Sequence, residues 1–104
     1  MTSPAGKKVL IVEDEQDIQS LVRLYLENEG YRTCTAMTGP DGLKLVKTEH
    51  PDLVILDLML AGMDGLEVCK RIRADPDTTL LPVIMLTAKA EESDVVVGLE
   101  LGAD

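Results

Sequence analysis

The sequence holds 104 residues, 45% of them apolar, with 19 acidic against 10 basic side chains for a net charge of −9. That supports one domain and leaves no room for a second core; a domain of this size buries roughly 60–65% of its unfolded surface, so it folds without staples but with little stability to spare. The acid excess argues against direct nucleic-acid binding, which relies on Lys and Arg, and two Tyr with no Phe or Trp leave little for base stacking or an aromatic-lined pocket.

No apolar run approaches the roughly 18 residues of a membrane span, and Met1–Gly6 lacks the apolar stretch of a signal peptide and reads as a flexible lead-in. The expectation is a cytoplasmic module at residues 7–104 without membrane contact. Cys34 and Cys69 lie far apart with no CxxC or His cluster, so reduced thiols are expected. His50, next to Pro51, reads as a helix-end residue.

Short β-branched runs alternate with helical periodicity, the pattern of βα units around a mostly parallel sheet. Val9-Leu10-Ile11-Val12 is the first strand, followed by Glu13-Asp14-Glu15. Ile18, Leu21, Val22, Tyr25 and Leu26 recur at the spacing of one helix face, and Gly30 suits a left-handed helix terminus. Residues 31–36 alternate with a period near two, as an edge strand does. A short helix begins at Gly39-Pro40-Asp41 and ends at His50-Pro51.

Leu53-Val54-Ile55-Leu56 is uniformly apolar, suits a central strand covered on both faces, and runs into Asp57. The loop after it carries Gly62 and Gly65, with Asp64 placed to cap a helix bearing Leu66, Cys69, Ile72 and Arg73. Residues 82–86 form the fourth strand and lead into Thr87-Ala88; a last helix is expected over residues 91–101.

Ligands of open parallel sheets bind beyond the carboxyl ends of the strands. There stand Glu13 and Asp14, then Asp57, then Thr87, with no glycine-rich phosphate loop. Right-handed crossovers on opposite faces put strand one beside strand three, about 4.8 Å away, so the three acids converge. Acids after strands often only solvate a loop, but three aimed at one crevice repel unless a hard divalent cation joins them, and Mg2+ suits such oxygen ligands. Asp57, ending a buried strand, is the candidate nucleophile toward phosphorus, and Thr87 a hydroxyl donor to a phosphoryl oxygen.

The segments 8–15, 52–60, 63–65, 82–88 and 98–104, in this order and spacing, resemble the response-regulator receiver, or CheY-like, family. The resemblance implies a flavodoxin-like doubly wound α/β sheet of order 2-1-3-4 and an aspartate, Asp57, phosphorylated by a histidine kinase or phosphotransfer protein. It implies Mg2+ ligation by Asp14, Asp57 and the Met59 backbone carbonyl, with Glu13 acting through water. Thr87 matches the residue coupling the phosphoryl group to a surface change, and the Ala88 amide matches a phosphoryl contact. Glu13-Asp14 and Met59 are most similar to receivers that precede winged-helix DNA-binding domains.

The family pattern continues past residues 102–104 into a fifth strand with an aromatic, a Lys-Pro pair and a fifth helix, about 20 residues in all. The chain therefore reads as a receiver truncated before its fifth βα unit. Without the lysine, acceptance at Asp57 is expected to be slower, and the bare edge at residues 83–87 is expected to drive self-association. The leading function is phosphoacceptor signalling rather than enzymatic turnover, and the alternative is an unphosphorylated interaction scaffold. A phosphatase lacks its second aspartate, since Met59 stands there, and a flavin protein lacks a phosphate loop and stacking aromatics.

Overall fold

A computed structural model describes residues 6–60 and 62–86. Its elements are β1 (Lys8–Val12), α1 (Gln16–Asn28), β2 (Arg32–Ala36), α2 (Gly39–Glu49), β3 (Leu53–Asp57), α3 (Gly65–Ala74) and β4 (Val83–Leu86). The strands form one parallel sheet in the order β2-β1-β3-β4, the expected doubly wound topology.

β1 and β3 lie inside the sheet, which is why both are apolar throughout. Alternate side chains leave opposite faces of a strand. Val9, Ile11 and Ile55 join Leu26 of α1 on one side, while Leu10, Val12, Val54 and Leu56 join Val46 of α2 and Val68 and Ile72 of α3 on the other. β2 lies at an edge and has only Ala36 fully buried.

Local chemistry sets the helix ends. The Thr38 hydroxyl accepts from the Asp41 amide at the start of α2, and Asp64 accepts from the Glu67 amide at the start of α3. The chain turns away after α1 at Gly30, with φ of 100°, and α2 is capped by His50 in the left-handed region with φ of 49°. α2 sits very close to the sheet, since a Cβ on Gly42 would lie 2.8 Å from a Val12 methyl.

The buried face of α1 differs in part from the sequence reading. Leu21 and Tyr25 are 67% and 65% exposed, whereas Leu26 is buried and Val22 packs against it as the repeat implied, and Gln19, from outside that repeat, is buried as well. α1 packs over β1 and β2, so its inward stripe is narrower than the apolar repeat implied. Leu66 is likewise exposed, whereas Cys69 and Ile72 are buried. Cys34 is half-buried, and neither cysteine is in a disulfide. Among the described residues, no helix is long and apolar enough to cross a membrane. Thr87, Ala88 and the expected helix over 91–101 lie outside the described residues.

Candidate functional site

Register brings the acids together. Val12 pairs with Leu56, so Glu13, the next residue after β1, emerges beside Asp57 at the end of β3. One carboxylate oxygen from each of Glu13, Asp14 and Asp57 falls within 4.8 Å of the others. Glu13 and Asp57 are each only 3% exposed, and Asp14 is half-buried at the rim.

The backbone fixes these side chains. The Glu13 amide donates to the Ala36 carbonyl at 3.0 Å, tying the end of β1 to that of β2. Glu13 Oε2 accepts from the Glu15 amide at 2.9 Å, and Asp57 Oδ1 accepts from the Met59 amide at 3.1 Å. Leu58 continues the ladder through its amide to the Leu86 carbonyl at 2.8 Å and accepts from the Gly65 amide at 2.9 Å. α3 therefore begins directly against the end of β3. A Cβ on Gly65 would meet the Asp57 carbonyl oxygen at 2.4 Å, a contact only glycine avoids.

The electrostatics follow from this crowding. The Glu13 carboxyl is pushed up from 4.5 to about 7, first by burial, which penalises the charged form, and then by the adjacent Asp57 and Asp14. The amide of Glu15 opposes the shift without cancelling it. Oxygen ligands of this kind, gathered at one point, suit a hard cation such as Mg2+.

The cleft beside the acids is lined by Asp14, Leu58, Met59, Leu60, Asp64 and Leu66. Asp64 carries a carboxylate into this rim but uses it to cap α3. The Met59 side chain is exposed, while its backbone amide donates to Asp57. The last described residue of β4, Leu86, pairs with Asp57. Sequence reasoning missed Gln19, whose amide donates to the Glu13 carbonyl. The available signal was a polar residue one position from Ile18 and three from Val22, on a helix face taken as wholly apolar.

A parallel α/β sheet with an acid trio at the carboxyl ends of two neighbouring strands defines a class of phosphoryl-handling or metal-binding modules. The chain belongs to the response regulator receiver domain family, whose model matches residues 9–104. It is 51% identical over 96 residues to the transcriptional regulatory protein AfsQ1 of Streptomyces coelicolor, covering 92% of this chain and 41% of that one. The chain thus spans about two fifths of the length of the curated relatives it matches. A response regulator structure from Chloroflexus aurantiacus superposes with a TM-score of 0.84 at 37% identity, over 94% of this chain and 80% of that one. The Mn(2+)-bound form of response regulator Rcp1 superposes at 0.77 and 30% identity, over 94% and 77% of the two chains. The family is one of signalling receivers, and the strand order and fold are those its resemblance implied.

Proposed function

We propose that residues 7–104 act in the cytoplasm as the phosphoacceptor of a two-component response regulator, taking a phosphoryl group from the histidine of a kinase or phosphotransfer protein onto Asp57. One observation carries this reading: three carboxylates within 4.8 Å, two of them buried, at the ends of adjacent strands. A stable fold gains nothing from burying and crowding these acids, and burial first, then the neighbouring Asp57 and Asp14, raise Glu13 to about 7. The manganese-bound relative is consistent with a divalent ion at this place.

Asp14, Asp57 and the Met59 carbonyl would hold Mg2+, with Glu13 acting through water. Bound there, the ion supplies positive charge that offsets the phosphoryl oxygens. The Met59 amide holds Asp57 Oδ1, which orients the carboxylate. An Asp57 oxygen bonds to phosphorus as the donor's P–N bond breaks, and the departing imidazole takes a proton from solvent. Thr87 and the Ala88 amide are the proposed phosphoryl contacts, and the resulting change passes to an output domain, a DNA-binding one by analogy with the transcriptional relative.

The test is intact-mass measurement after incubation with Mg2+ and a small acyl phosphate. The wild type is expected to gain one phosphoryl group, and Asp57→Ala or chelation of the metal to abolish the gain. Equal labelling of Asp57→Ala overturns the assignment. β4 is the outer strand of the described sheet, and self-association of the 104-residue chain through this edge is proposed as well. A monomer in sedimentation velocity at high concentration contradicts it.

A further inference from the structure

Gln19 is a buried polar side chain in the first turn of α1. Its Nε2 donates to the carbonyls of Glu13 and Ala36, both at 3.1 Å, so its two N–H groups are spent on the chain just past β1 and at the end of β2. The same Ala36 carbonyl accepts from the Glu13 amide at 3.0 Å. The Gln19 backbone amide donates to the Glu15 carbonyl at 2.9 Å, and the Glu15 amide donates to Glu13 Oε2 at 2.9 Å. These bonds close a ring through Glu13, Glu15 and Gln19 around the turn that carries the acids.

An apolar side chain at this inward position would bury more hydrophobic surface, whereas a buried amide is tolerated only when its donors are satisfied. Here both donors meet carbonyl oxygens of the acid-bearing segment or its neighbour. We propose that Gln19 is a positioning residue for the acid pair: by holding the Glu13 carbonyl it fixes the Glu13–Asp14 peptide plane, and with it the directions in which both carboxylates leave the backbone. Gln19 touches neither metal nor phosphoryl group in this role. The inference rests on the metal-site reading above and is tested partly without metal.

Gln19→Met keeps nearly the same length and removes both donors. Titration of the folded 104-residue chain with Mg2+ is expected to give a Kd about tenfold weaker for Gln19→Met, the scale of losses seen when a partner behind a metal ligand is removed. Leu26→Val, in the same helix but packed against Val9, Ile11 and Ile55, is expected to lower the melting temperature and leave the Kd unchanged. In metal-free buffer, hydrogen exchange at the Glu13 and Glu15 amides is expected to accelerate about tenfold in Gln19→Met, while Leu10, Ile11 and Val12 keep their rates. An unchanged Kd in the folded variant, or unchanged exchange at Glu13 and Glu15, overturns the proposal. A wild type that binds no Mg2+ defeats the metal-site reading instead, and the exchange measurement then decides the role of Gln19. If Gln19→Met does not fold, Gln19→Asn, which draws the amide back by one methylene, supplies the same readings.

Discussion

The two ends of the sheet treat charge in opposite ways. At the amino end, Lys8 Nζ meets Glu49 Oε1 at 2.8 Å and the Lys8 amide donates to Asp52 Oδ2 at 2.8 Å. Lys47 pairs with Asp75, and an Arg73 nitrogen donates to the carbonyls of Thr79 and Leu81. The hydrogen bond from Lys8 holds the Glu49 carboxyl below its usual range, and that from Lys47 does the same for Asp75. At the carboxyl end, acids face acids and Glu13 moves the other way, to about 7. Among the described residues, no lysine or arginine forms an ion pair with Glu13 or Asp57. Glu49 and Asp75 are matched by lysines from within the chain, whereas Glu13 and Asp57 are buried beside further acid.

The largest effect that would break this contrast is steric. Gly65→Ala drives a methyl into the backbone at Asp57 and Leu58, and is expected to destabilise the chain by about 3 kcal/mol in urea unfolding. A loss under about 1 kcal/mol would mean that α3 backs away freely and that the end of β3 is not rigidly held.

The next effect has the opposite sign. Because the folded pKa of Glu13 lies above its unfolded value of 4.5, the neutral form suits the fold, and wild-type stability declines as pH rises from 4.5 to about 7. Metal-free Glu13→Gln should therefore be more stable than wild type by about 2 kcal/mol at pH 8, with the difference vanishing near pH 4. Mg2+ should narrow or reverse the gap, since it favours the charged carboxylate. A variant no more stable than wild type at pH 8 would remove the electrostatic half of the comparison.

The smallest effect belongs to the paired end. Lys8→Met is expected to lower Tm by only about 2 °C, and by less in high salt, because partly exposed ion pairs contribute little. The depressed Glu49 carboxyl acts oppositely to Glu13: its stabilisation is present above its unfolded pKa and lost as pH falls through the lower folded value. Calorimetric scans across pH and salt check both statements.

Much of this was legible in one dimension. The uniform apolarity of residues 53–56 announced an interior strand, the period-two pattern before Ala36 an edge, and Asp64 a helix cap. The meeting of Glu13, Asp14 and Asp57 also followed, because order 2-1-3-4 makes β1 and β3 neighbours. Less legible was which way α1 faces. Its apolar residues span more than one stripe, and nothing local says that Gln19 goes in while Leu21 and Tyr25 stay out.

The sequence alone determined the elements of the described residues, their order and the strand ends that carry Glu13, Asp14 and Asp57, because periodicity, capping and strand-end position are properties of neighbours along the chain. Tertiary structure decided the rest: the burial that lifts Glu13, the backbone approach that makes Gly65 obligatory, and the carbonyls that bring Gln19 inside. Each of these depends on distances between segments far apart in the chain, and those distances are set only when the packed faces choose one arrangement.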